Sequence, residues 1–186
     1  MRLTIKDIIL DSDPRIREVS EEVSFPLSKE DEALIQALYQ YVCESTDEEK
    51  IENEGFKPAV GLAAIQVAQK KRMLAVVLRG EEDEIVEQYA LINPKLISHS
   101  EQDSYLANGE GCLSVEEVHQ GIVPRHARIT IEAYDYLQKK DVRIRARGYT
   151  AIVLQHEMDH LDGTLFYDHI KENQGPETLH DPIVIE

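Results

Sequence analysis

A chain of 186 residues with 42% hydrophobic and 30% charged content has room for one domain with a full core and not for two comfortable ones. Its 36 acidic residues against 20 basic ones leave a formal charge of −16. That balance excludes bulk attraction to nucleic acid or an anionic membrane as the main business, leaving only local basic patches such as Arg143, Arg145 and Arg147 to touch one. No stretch approaches the length of a membrane span, and Lys6 and Asp7 break the apolar run of residues 1–10, so the expected location is the cytoplasm. Cys43 and Cys112 are too few for a disulfide framework and are expected as thiols.

Asp13-Pro14 has the form of a cap followed by proline at the first helical position and predicts a short helix through about Val19. Ser28-Lys29-Glu30-Asp31 is a cap of the S-x-x-D type and opens the longest helix. Leu34, Leu38, Tyr41 and Val42 form its apolar stripe, so it is expected to cover a sheet. Cys43, on the same helix, reads as a small half-buried side chain. Residues 46–57 are acidic and turn-rich, the pattern of a surface insertion or short extra helix. Ala59-Val60-Gly61-Leu62-Ala63-Ala64-Ile65-Gln66 is a run of small and apolar residues. It suits close approach of a substrate backbone and tight packing on a sheet about equally.

From Arg72 the pattern is mostly strand: Met73–Leu78, Tyr89–Ile92 continuing past Asn93-Pro94 to Ser98, then Ile129–Tyr134 and Val142–Arg145. The last two alternate and are joined as a hairpin by the polar loop Asp135 to Asp141. An α+β fold is expected, with mostly antiparallel sheets around a C-terminal helix and a longer helix near the N-terminus. The tail, residues 170–186, is polar and ends on an apolar trio that can add an edge strand.

The C-terminal helix carries His156-Glu157-Met158-Asp159-His160, an H-E-x-x-H string. Residues four apart return to nearly the same helical face, so both imidazoles point one way with Glu157 at their edge. A metal between the histidines would hold a water within reach of that carboxylate. Ala151, Leu154, Met158 and Leu161 make a separate apolar stripe. Thr150 is the expected N-cap and Gly163 the stop. Catalytic metal sites normally have three protein ligands. The metzincin pattern would place a third histidine where this chain has Phe166, and no downstream Glu lies in a convincing helix. The missing ligand is therefore sought upstream, where Cys112 in Glu110-Gly111-Cys112-Leu113-Ser114 offers a thiolate.

Taken together, A-V-G-L-A-A-I-Q at 59–66, E-G-C-L-S at 110–114 and Q-H-E-M-D-H at 155–160 resemble peptide deformylase. In that family G-x-G-L-A-A-x-Q, E-G-C-L-S and Q-H-E-x-D-H-L occur in this order and at comparable intervals. The likeness covers nearly the whole chain, and residues 46–57, 148–153 and 167–170 look like the longer forms of Gram-positive bacteria. The resemblance implies one catalytic domain that removes the formyl group from N-formylmethionine on newly made proteins. By matched position it implies Cys112, His156 and His160 as metal ligands and Glu157 as general base and acid. Gln66 and the backbone N–H of Leu113 become oxyanion donors. Val60, Gly61 and Gly111 become partners of the substrate backbone, and Ile152 part of the methionine pocket. Glu110 is expected to be a structural partner of Arg125. Iron(II) is the metal the resemblance favours, while the ligand types also suit zinc, nickel or cobalt.

Two departures stand out: Ala59 replaces the first glycine of the G-x-G motif, and Ile65 stands where proline is frequent. An alanine at 59 would be strained if that position needed a positive φ. A cramped site lined by Gly61 and Ala63 is expected to exclude acyl groups larger than formyl. A metallopeptidase with another substrate is the competing reading, opposed by Phe166 and by Cys112; a closed, structural metal site is the third. Formylmethionyl nascent peptides are the expected partners, with at most a transient ribosome contact, no reading of nucleic-acid sequence and no membrane.

Overall fold

The computed structural model describes residues 1–47, 50–51, 56–170 and 175–186. Helix α1, Lys29–Ser45, begins where the Ser28 side chain accepts from the Asp31 N–H, which satisfies one of the donors a helix start leaves open. Leu34, Leu38, Tyr41 and Val42 are buried as their spacing requires. The Asp13-Pro14 start is real, although the segment it opens is a single 3-10 turn, Pro14–Arg17.

Strands β1 (Gly61–Ala63), β2 (Met73–Arg79), β3 (Ile85–His99), β6 (Arg128–Asp135) and β7 (Lys140–Arg147) form one antiparallel sheet in the order β1-β2-β3-β6-β7. Strand β3 pairs with β2 through its first half and β6 through its second. The register with β6 shifts between Ile92 and Lys95, around Asn93, whose φ of 53° is one that asparagine tolerates, and whose side-chain amide exchanges hydrogen bonds of 2.8 Å with the Val23 backbone. A second sheet, in the order β5-β4-β8, joins β5 (Arg125–His126), β4 (Asp103–Leu106) and β8 (Ile183–Ile185), with β8 parallel to β4. The apolar trio of the tail is this edge strand. The hairpin strands run further than their apolar alternation suggests, so β6 includes Asp135 and β7 starts at Lys140.

Helix α2, Gly148–Leu161, packs against β1, β2, β6 and β7 of the large sheet and β4 and β5 of the small one. It lies between the sheets, and α1 covers the opposite face of β1, β2 and β3. Two apolar cores result, one under α1 and one around α2. The helix starts two residues before Thr150, which is therefore not its cap; Thr150 Oγ1 donates instead to Glu87 at 3.0 Å. Gly163 does end it, with φ at 71°, and a Cβ there would lie 2.3 Å from the Arg17 carbonyl oxygen. Of residues 46–57, positions 48–49 and 52–55 lie outside the described residues, as do 171–174 of the tail. Phe56 is buried, its ring 5.1 Å from that of Tyr41. No helix among the described residues is long and apolar enough to cross a membrane.

Candidate metal centre

Because α2 is enclosed between two sheets, its polar residues are buried with its apolar ones: Glu157 is 4% and His160 1% exposed. The loop after β4 brings Cys112 to them. Cys112 Sγ lies 3.3 Å from His160 Nε2, and the ligand atoms of Cys112, His156 and His160 all fall within 4.8 Å of one another. Glu110 orients His156 by accepting from Nδ1 at 2.8 Å, which directs the other ring nitrogen inward. Glu110 is held in turn by both arms of Arg125, at 2.7 and 2.8 Å. Arg125 also pairs with Asp159, whose carboxylate bonds His169. The expected Glu110–Arg125 pair is thus one link of a buried chain from loop to strand to helix.

Glu157 faces a cavity of about 540 Å³ lined by Val60, Gly61, Gln66, Gly111, Cys112, Leu113, Ile152 and His156. Val60, Gly61, Gln66, Gly111, Cys112, Leu113, Ile152, His156 and Glu157 thus share one cavity, and His160 joins Cys112 and His156 in the ligand cluster beside it. Burial pushes the Glu157 carboxyl up to about 7 against the pull of His156, and among the described residues its Oε2 has no hydrogen-bond partner. At His156 burial opposes a charge, yet hydrogen bonds with Cys112 and Glu110 outweigh it and raise the imidazole to about 10. His160 is driven well below the ordinary range by burial and by the charge on His156. Two imidazole nitrogens and a thiol sulfur thus converge beside the Glu157 carboxylate. That is the donor set a single divalent cation fits.

Gln66 Oε1 accepts from the Ala63 N–H at 2.9 Å, while Nε2 donates to Ser114 at 3.2 Å and lies 3.6 Å from Cys112 Sγ. The amide is therefore oriented with its donor toward the cysteine loop. Gly61 is small for a reason its motif does not disclose: a Cβ there would stand 2.4 Å from Glu157 Oε1 and 2.7 Å from Cδ and Cγ. Ala63, expected in the site wall, sits instead in the core around α2. Ala59 is not among the positive-φ residues, so the feared strain is absent. Its N–H and carbonyl both bond the Ser45 hydroxyl at 3.2 Å. Phe166, in the metzincin ligand position, is buried with its ring 6.1 Å from that of His156. Tyr149 and Val153 also line the cavity. They fall on the face of His156 at spacings of seven and three residues, a signal visible in the sequence once the helix is begun at Gly148.

A Cys-His-His set beside a buried, unpartnered carboxylate at the wall of an open cavity defines a metal-dependent hydrolase. The family model for polypeptide deformylase matches residues 5–175, and the chain belongs to that family. The peptide deformylase of Staphylococcus epidermidis is 47% identical over 172 residues, covering 92% of this chain and 93% of the relative. That of Macrococcus caseolyticus is 46% identical over 184 residues, 99% of this chain and 100% of the relative. The crystal structure of peptide deformylase from Ehrlichia chaffeensis superposes with a TM-score of 0.71 at 30% identity, covering 92% of this chain and 89% of that one. The activity is removal of the formyl group from N-formylmethionyl peptides, and the cluster provides for one metal ion.

Proposed function

We propose that Cys112, His156 and His160 hold the metal and that Glu157 moves the proton during deformylation by this single catalytic domain. The observation that carries the reading is the buried Glu157 carboxylate, unpartnered at Oε2, in the cavity wall beside the three ligands. A divalent cation on that set supplies Lewis acidity, lowering the pKa of a water from near 16 to about 7. Glu157, raised to about 7 by burial, takes the proton of the attacking water and returns it to the leaving amine. Gln66 Nε2, oriented by its bonds to Ala63 and Ser114, and the Leu113 N–H donate to the developing oxyanion. Each such donor contributes about 3 to 4 kcal/mol.

Val60, Gly61 and Gly111 line the cavity and take the substrate backbone as an added strand. Ile152, fully buried in the cavity wall, packs on the methionine side chain. Iron(II) is the metal we favour, with zinc, nickel and cobalt as substitutes the ligands accept. We place the enzyme in the cytoplasm, where a transient ribosome contact brings it to nascent chains.

The test is formate release from a formyl-Met tripeptide by protein prepared without oxygen and loaded with Fe(II) or Ni(II). Metal-dependent release is expected, with Glu157→Ala lowering kcat by about 10²- to 10⁴-fold and an N-acetyl-Met peptide left intact. Cleavage of unformylated internal peptide bonds by the same protein would instead establish a metallopeptidase.

A further inference from the structure

We propose that the outer face of the β6–β7 hairpin is a docking surface for RNA, gripped through its phosphates. The proposal rests on the reading that the substrate is the formylated end of a nascent chain, since such a chain is offered at an RNA-rich surface. In a molecule with 36 acidic and 20 basic residues, a basic face is a local exception. On β7, Ile144 and Ala146 point into the core around α2, and Arg143, Arg145 and Arg147 are exposed on the other side. The register sets Arg128 opposite Arg147, Thr130 opposite Arg145 and Glu132 opposite Arg143. Opposed residues share a face, so four arginines stand together. Helix α1 packs on the β1–β2–β3 part of this side and meets the hairpin at its turn, where Gln36 donates to the Tyr136 hydroxyl, while Arg143, Arg145 and Arg147 stay exposed.

The charges there are only partly answered. Arg143 pairs with Glu132, and Arg128 donates to Gln102. Among the described residues neither Arg145 nor Arg147 has a carboxylate partner. Alternate side chains on a strand stand about 6.8 Å apart, so β7 presents a ladder of planar guanidinium forks. This is the geometry that grips phosphate two oxygens at a time.

Beside the ladder lies a groove of about 560 Å³ bordered by Glu22, Phe25, Lys95, Tyr134, Asp141 and Arg143. Glu22 is paired with Lys95. Phe25 is 49% exposed and meets Tyr134 edge-on, ring centroids 4.9 Å apart. An exposed aromatic beside a basic ladder suits the stacking of an unpaired base. The ladder also ends beside the catalytic cleft, because Gly148 follows Arg147 and Tyr149 and Ile152 line the cavity.

The experiment titrates metal-loaded protein against a fluorescein-labelled RNA hairpin with a single-stranded loop and follows anisotropy across salt. Arg145→Gln/Arg147→Gln is compared with Lys6→Gln/Lys29→Gln, which removes the same charge from exposed positions elsewhere. The arginine variant is expected to bind at least tenfold more weakly, its log-log salt slope reduced by about 1.4 to 1.8, while the lysine variant binds as wild type. Phe25→Ser is expected to weaken binding to the looped hairpin and not to a blunt RNA duplex. Should the double variant misfold, Arg145→Gln alone is expected to lose about threefold. Formate release from the free tripeptide is unchanged in all variants, so its absence from wild type would sink the proposed activity and leave the RNA result standing. Three results overturn the docking surface: no RNA binding by wild type at low salt, equal losses in the arginine and lysine variants, or phosphatidylserine vesicles outcompeting RNA for the same arginines.

Discussion

Glu157 is placed by what surrounds it. The carboxylate is buried and among the described residues one of its oxygens has no partner, a costly state of the kind that persists at functional sites. The wall that keeps it in position includes the missing side chain of Gly61. Gly61→Ala would put a methyl group 2.4 Å from Glu157 Oε1 and so must displace the carboxylate. A displacement of about 1 Å is enough to cost on the order of 10²-fold in rate, and the loss should appear in kcat. If the two residues act as one unit, Glu157→Ala costs much less in the Gly61→Ala background than in wild type. A double-mutant cycle on kcat/KM measures this, and additive losses would show that Gly61 acts independently of the carboxylate.

At the scale of elements, the centre is assembled from a loop, a short strand and a helix distant in sequence. Arg125 of β5 joins them, with Glu110 of the loop on one side and Asp159 of α2 on the other. It is 4% exposed, and both carboxylates are held below their ordinary range because its pull and their hydrogen bonds overcome burial. Removing one member of such a buried network costs about 3 to 5 kcal/mol, since the remaining charges lose compensation. Arg125→Ala is therefore expected to unfold roughly 10 °C lower by calorimetry, at 2 to 4 °C per kcal/mol for a domain of this size. It should also bind metal about 10- to 100-fold more weakly, because Glu110 orients His156. An unchanged metal affinity in the folded variant would separate the two roles.

For the whole molecule, the same centre ties the 110–114 loop to the helix between the two sheets, so an ion bound there stabilises the fold by mass action. At a free metal concentration 100 times Kd the gain is about 2.7 kcal/mol, or roughly 5 to 10 °C in Tm. Chelation should remove that increment, and Cys112→Ala should abolish the difference between loaded and chelated protein. A Tm indifferent to chelation in wild type would mean that the three ligands do not form one site in solution.

Local pattern determined much of this protein. The cap at Ser28 and the stripe Leu34, Leu38, Tyr41 and Val42 specify α1, alternation specifies the β6–β7 hairpin, and i, i+4 spacing sets His156 and His160 on one face. These depend on neighbours a few residues away, which a linear text records. The meeting of Cys112 with two histidines distant in sequence was legible through three short motifs in order. Tertiary structure decided what depends on chains meeting from far apart: the burial of α2 on both sides, which made Thr150 an interior residue rather than a cap. It decided the close approach that makes Gly61 obligatory under Glu157, and the placement of Ala63 in the core instead of the cavity. It also joined Glu110, Arg125 and Asp159 into one ion network. Burial and long-range contact set those environments, and neither is a property of the residues one at a time.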